Sequence, residues 1–417
     1  MRHSLALILL AALAAAGCRH KPVYPEMGSL IVTSLPSNAA IYVDGAFTGQ
    51  RTPAKVDGIP VGSRSIGLKL SRFRTYQGSI EIRPGETRRM NLILTAINPH
   101  VTARVTLPVP PRDMAYDPVR QRLYLSHRYV PWVGVYQIMD STAAKIGEIP
   151  AGAEAVRLAC HPGLGRLAVC VTDTVKIFDL DSWTAVGWSV PAPGTRFDRL
   201  AYTQDGRALL AADSVGRRAM VLGPQDGSLQ RTIGLSGCPS DLAADGASRH
   251  VYVTLSDAQR FQRLDLESGE VADDMATLPT PGTIFRTDDD QMAGYCKVFG
   301  SSTSDEIFVP VMVASWTPIE TAPLPFGSPP PEGDYIWGAC FSGNGEGFWI
   351  FRCKGPTIGN PGPLPTGKVY LYDRGTWTGV FSMALGDLPM RMAQSQDGRF
   401  LYFMQYYDLL VLRTETE

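Results

Sequence analysis

The stretch RMAQSQDGRFLYFMQYYDLLVLRTETE, Arg391–Glu417, decides the fold. It reads as a strand around Ala393, a polar turn at Gln396-Asp397-Gly398, an apolar strand Phe400–Met404, a second turn, and a last strand Leu409–Leu412. Turn residues and apolar runs alternate on a scale too short for helices. Upstream, similar segments continue through one more polar turn into a fourth strand. Here that strand is missing, so a complete unit needs a strand from elsewhere.

Five earlier segments align with it on one alanine: DMAYDPVRQRLYLS (Ala115), RLACHPGLGRLAVCV (Ala159), RLAYTQDGRALLAAD (Ala201), DLAADGASRHVYVTL (Ala243) and WGACFSGNGEGFWIF (Ala339). The alanines, ending with Ala393, are spaced by 44, 42, 42, 96 and 54 residues. The gap of 96 reads as two periods of 48, with a hidden repeat at KVFGSSTSDEIFVPVMV, Lys297–Val313. Each repeat also has a second half, as in TVKIFDLDSWTAVGWSVPAPG and RFQRLDLESGEVADDMATLP: a strand, a polar turn and a closing strand. Four strands per repeat at this period predict a seven-bladed β-propeller over residues 97–417. One blade cannot bury both faces of its sheet, but seven arranged radially can. The missing fourth strand is found at His100–Arg112, HVTARVTLPVPPR, whose Val105-Thr106-Leu107-Pro108 matches the closing strand Ile146-Gly147-Glu148-Ile149-Pro150. Pairing the two ends would close the ring and remove two open strand edges.

The repeats also place candidate site residues. Two positions before each alanine stand Asp113, Arg157, Arg199, Asp241, Trp337 and Arg391, with the fifth repeat unassigned. The next position is mostly apolar. Alternation along a strand puts these on opposite faces, and first strands line the channel of a propeller, so a charged ring is expected near one mouth. Two readings stand side by side. One is a salt-bridge belt that aligns the blades. The other is a binding site in which surplus arginine and Trp337 grip a carboxylate or a sugar, since guanidinium suits planar oxygen pairs and aromatic stacking.

Before the repeats lies a different pattern. Short β-rich runs at Leu30–Thr33, Ala40–Val43, Ser65–Leu70, Gly78–Ile82 and Arg89–Leu94 alternate with turns at Asp44-Gly45, Pro60-Val61-Gly62 and Pro84-Gly85. They predict a small β-sandwich over residues 28–96. Pro36-Ser37-Asn38-Ala39, Tyr42-Val43-Asp44-Gly45, Gly49, Thr52-Pro53 and Pro60-Val61-Gly62 resemble a PEGA domain, although Ser37 and Asn38 replace the middle of the naming tetrapeptide. The resemblance implies a non-catalytic surface or periplasmic module, with Asp44 shaping a turn. The repeats in turn resemble the YVTN family of surface-layer-like propellers, which has lactonase-type members. The match lies in Val251-Tyr252-Val253-Thr254, with Leu255 where Asn is usual, and in Asp140-Ser141-Thr142 with Ile149-Pro150-Ala151-Gly152. The insertion CKGPTIGNPGPLPTGK, Cys353–Lys368, departs from that family.

The first residues, MRHSLALILLAALAAAGCRH, have a basic start and an apolar run of twelve residues, too short to span a bilayer. Ala15-Ala16-Gly17-Cys18 resembles a bacterial lipoprotein signal, with Ala15 where Leu is commoner. It implies removal of residues 1–17, lipidation of Cys18 and a polar tether over 18–27. Acyl chains contribute about 0.8 kcal/mol per buried CH₂, so lipid would hold the chain to the membrane. Arg19, in place of an inner-membrane-retaining aspartate, points to the outer membrane.

A formal net charge of −1 excludes an electrostatic case for nucleic acid. No GxSxG, HExxH or Walker sequence occurs. Asp288-Asp289-Asp290 lacks the alternation of a calcium loop, and the proline-rich Ala322–Asp334 reads as a loop. His161, before a Pro-Gly turn, reads as structural, and the pairing of six cysteines after Cys18 is open. No cofactor or metal is expected. The expected function is that of a non-enzymatic envelope lipoprotein, a binding scaffold for a protein or glycan partner. The alternative is a lactonase-like enzyme with its site at the channel mouth.

Overall fold

The computed structural model describes residues 26–70, 73–95, 99–139, 142–189, 194–277, 281–286, 292–297, 308–318, 334–341, 347–354, 367–373, 379–386, 390–395 and 397–414. Residues 1–25 with Cys18, Asp288–Asp290, residues 322–333 of the proline-rich stretch and most of Cys353–Lys368 lie outside the described residues, as do the side chains of Trp337, Cys296, Cys340 and Cys353. The described elements are all β, and they divide into two compact units, Met1–Ile97 and Asn98–Glu417.

The first unit pairs two sheets. One has Met27–Leu35 between Ala54–Pro60, antiparallel, and Thr87–Ile93, parallel. The other runs Ala46–Arg51, Ala40–Val43, Gly62–Lys69, Tyr76–Ile82. Alternate residues Leu30 and Val32 meet Ile41, Ile66, Leu68 and Ile82 in the core. Two strands, Ala46–Arg51 and Ala54–Pro60, were not legible as apolar runs: both are mostly exposed, and Gly49 and Gly58 interrupt them. Asp44 does shape a turn. At φ +49°, followed by Gly45 at +80°, it accepts from the Ser65 N–H at 2.9 Å and from Arg64 at 3.1 Å. Those hydrogen bonds, the backbone one foremost, hold its pKa below the ordinary carboxylate value.

The second unit contains seven four-stranded antiparallel sheets among the described residues. Their first strands are Pro111–Asp117, Ala155–His161, Phe197–Tyr202, Pro239–Ala244, Pro281–Arg286, Asp334–Phe341 and Arg391–Gln394. Each of these strands contacts the next, and Arg391–Gln394 contacts Pro111–Asp117, so the series returns to its start. Sheets one to six are built from consecutive strands. Sheet seven takes its fourth strand, His100–Thr106, from the far side of the repeats: Leu409 pairs with Val105 and Leu410 with Arg104. The expected partner of the opening stretch is thus in place.

In sheets two and seven both faces of the second strand are apolar because both are covered. In sheet two Leu167, Val169 and Val171 pack toward sheet one, while Ala168 and Cys170 pack toward sheet three. In sheet seven Phe400, Tyr402 and Met404 meet sheet one, while Leu401 and Phe403 meet sheet six. A fully buried side chain of this size contributes about 1.5–3 kcal/mol, so these interfaces dominate the unit's stability.

Sheet five corrects the sequence alignment. Its first two strands are Pro281–Arg286 and Met292–Lys297, upstream of the Lys297–Val313 segment expected to hold them; that segment ends instead in the third strand, Phe308–Met312. The residue equivalent to the aligned alanine is Phe285, 42 residues past Ala243 and 54 before Ala339. The gap is therefore unequal, and a phenylalanine at the marker position hid it.

Candidate functional site

The first strands share a local irregularity that aims the charged position. A β-bulge leaves one residue unpaired three positions before the aligned alanine: Arg112, Val156, Asp198 and Ser240 in sheets one to four. Bulges bend a strand and re-aim the neighbouring side chains. In sheet six the bulge falls one residue later, on Trp337 itself, between Ile336 and Gly338. Trp337 is thus out of register with the other ring positions. In sheet five the equivalent of the unassigned position is Thr283, two before Phe285.

A cavity of about 220 Å³ lies at this level, lined among others by Asp113, Arg199, Asp241, Thr283 and Arg391, with Met114, Leu158, Leu200, Leu242, Phe351 and Met392 as its apolar wall. The structure therefore gathers four of the six sequence-predicted residues around one space. Arg391 Nε meets Asp113 Oδ1 at 2.7 Å, and Arg199 Nε meets Asp241 Oδ1 at 2.7 Å. The second oxygen of each aspartate accepts from the backbone of the following sheet: Leu158 N–H donates to Asp113 Oδ2 at 3.0 Å, and Ile284 N–H to Asp241 Oδ2 at 2.8 Å. Each aspartate thus ties three successive sheets, seven-one-two and three-four-five. Opposite each stands a hydroxyl. Ser126 accepts from the Asp113 N–H at 3.0 Å, and Thr254 donates to the Gly282 carbonyl of sheet five at 2.9 Å.

Arg157 behaves differently. The next sheet offers it Arg199 rather than an aspartate. Its Nε donates to the Asp198 carbonyl at 2.5 Å and its Nη1 to the Val156 carbonyl at 3.0 Å, and it does not line the cavity. Burial and repulsion from Arg199 and Arg391 outweigh the pull of Asp113 and lower its pKa to about 10. At Asp113 burial works upward, but Arg391, Arg199 and Arg157 together prevail and hold the carboxyl below its ordinary value. Such an aspartate is an acceptor in a belt and a poor general base near neutral pH.

Other chemistry-bearing groups resolve into structural roles. His161 accepts from Leu164 N–H at 2.9 Å and bonds the Gln204 carbonyl at 3.1 Å, so it closes its own turn and joins the next sheet. His127 bonds the Val109 carbonyl at 3.0 Å and packs on Trp132, and burial lowers its pKa. His250 pairs with Asp245 at 3.0 Å. Cys160, Cys170 and Cys238 are free thiols.

Residues 27–98 match the PEGA domain family. The match covers the first unit alone, and so names a module rather than the chain. No protein of curated function matches the chain.

Proposed function

We propose that the protein is a lipid-anchored envelope scaffold, held by Cys18, spaced from the membrane by its PEGA module, and binding a protein or glycan partner through a seven-bladed propeller of YVTN type. In this reading the first strands line the central channel, and His100–Thr106 closes the ring. The return of the first-strand contacts from Arg391–Gln394 to Pro111–Asp117 supports that closure. Outer-membrane attachment follows from the leader and Arg19, as does the absence of any nucleic-acid role from the neutral charge.

One observation carries the binding role. The register puts Asp113, Arg199, Asp241 and Arg391 beside the ends of the second strands, and therefore at the same end as the turns that follow those strands. Those turns carry exposed Tyr129, Val215, Tyr406 and Tyr407, with Tyr129 81% accessible. Tyrosine and arginine are the residues most enriched where partners bind. Exposed tyrosines on the turns at the cavity's end of the sheets suit docking, while the aspartates of the cavity are already engaged as acceptors.

The test is photo-crosslinking in the native envelope from a probe placed at Tyr407, compared with one at Val119 on the opposite turns. A defined partner crosslinked from Tyr407, and lost on Tyr129→Ser with Tyr406→Ser, is expected. Equal crosslinking from both positions, or opening of a lactone substrate by the purified protein, would overturn the reading.

A further inference from the structure

The guanidiniums at the cavity have donors to spare. Among the described residues two guanidiniums, of Arg199 and Arg391, and two carboxylates, of Asp113 and Asp241, line it, while Arg157, outside it and facing Asp198, also acts on Asp113. Both aspartates have spent both oxygens, on an arginine and on a backbone N–H. Arg199 and Arg391 meet their aspartates through Nε, which leaves their outer Nη edges. Among the described residues the only protein acceptor for those Nη groups is the Met390 carbonyl, 3.5 Å from Arg391 Nη1. A guanidinium has five donors in a planar fork, so one aspartate does not exhaust it. The same cavity has hydrocarbon in its wall, from Leu158, Leu200, Leu242 and Phe351. The space of about 220 Å³ would hold on the order of seven waters at ~30 Å³ each.

We propose that this cavity binds a small monocarboxylate with a short hydrocarbon chain, its two oxygens on the Nη edges of Arg199 and Arg391 and its chain on the leucine and phenylalanine wall. The inference rests on reading the mouth as a binding site rather than a catalytic one. Two guanidinium edges match the two oxygens of one carboxylate, whereas a neutral ligand forms no charge-assisted pair with them. Low dielectric makes such a pairing count for more than it would in water. Arg157 contributes from outside the cavity. It touches no ligand, but its positive charge reaches the cavity, as its action on Asp113 shows, and favours an anion there.

The experiment is calorimetric titration of the full-length protein in detergent with butyrate, butyramide and γ-butyrolactone, followed by the Arg157→Gln variant. Butyrate is expected to bind at least about tenfold tighter than butyramide, a difference of about 1.4 kcal/mol. Arg157→Gln should weaken butyrate about tenfold and leave butyramide unchanged. Equal affinity for the acid and the amide, no heat with butyrate, or an unaltered butyrate affinity in a folded Arg157→Gln protein each overturn the assignment. The acid–amide comparison stands without any variant, should Arg157→Gln fail to fold. Acid release from the lactone would instead sink the non-catalytic reading, which keeps the two failures apart.

Discussion

Asp113 and Asp241 occupy the same register position in sheets one and four, and each joins an arginine of the sheet before to a backbone N–H of the sheet after. Their ion-pair distances are equal, although Asp241 Oδ1 also accepts from the Leu242 N–H and only Arg391 hydrogen-bonds its aspartate. Their connectivity differs: Arg199 lies 42 residues before Asp241, while Arg391 lies 278 residues after Asp113. One stitch reinforces neighbours that the chain already links. The other crosses the seam between sheet seven and sheet one, beside the pairing of His100–Thr106 with Asp408–Arg413. Arg157 completes the contrast. It has the same residue type as Arg199 and the same position in its own strand, yet it faces an arginine in the next sheet and turns to carbonyls instead. What a ring residue does is set by its neighbour in the following sheet as much as by its own side chain.

The strongest way to break the contrast is to remove the seam. Deleting His100–Thr106 strips the partner from Asp408–Arg413 and opens two strand edges. The loss should consume most of the ~5–15 kcal/mol that stabilises a typical domain. Urea unfolding followed by tryptophan fluorescence checks it, and an unchanged midpoint would show that the seam carries nothing.

Next in size are Asp113→Ala and Asp241→Ala. Each leaves an arginine without its carboxylate and a buried N–H without its acceptor, at a cost of about 3–5 kcal/mol. Hydrogen exchange separates them. Amides of His100–Thr106 should exchange faster in Asp113→Ala and at the native rate in Asp241→Ala. Identical patterns would mean that connectivity does not matter.

The smallest effect is a pH dependence. The Asp113 carboxyl titrates below its ordinary value of 3.8 in the folded protein. Between that depressed pKa and the unfolded one, the unfolded chain binds more protons, so stability falls as pH falls. The contribution is complete above about pH 5 and is lost through the range below about pH 4. Asp113→Asn should therefore flatten the acid limb of stability against pH without altering its slope above pH 5. A limb as steep as in the native protein would assign the acid sensitivity elsewhere.

Much of this was legible in the sequence because the alanine marks a fixed point on each first strand. Counting back two residues found both members of both ion pairs, and matching Val105–Pro108 to Ile146–Pro150 found the strand that completes sheet seven. The misses have physical causes. Phe285 stands where the alanine was sought, so sheet five was placed too far downstream and Thr283 went unassigned. The acceptors' second partners, the N–H groups of Leu158 and Ile284, belong to the backbone and leave no trace in residue identity. The rotation of Arg157 away from the cavity depends on a carbonyl freed at the Asp198 bulge, and a bulge is a matter of register rather than composition. The same is true of Trp337, which counting placed with the ring and the bulge takes out of register.

The pairing of His100–Thr106 with Asp408–Arg413 also imposes a timetable on synthesis. Arg104 and Asp408, 304 residues apart, form an ion pair across that junction. At ~5–20 residues per second, the ribosome takes about 15–60 s to deliver the second after the first. Throughout that interval the earlier strand is a guest without a host, while six complete sheets can assemble behind it. A nascent chain halted before Asp408 would hold a nearly finished unit with two sticky flanks, the species on which a holding chaperone or a quality-control protease would act.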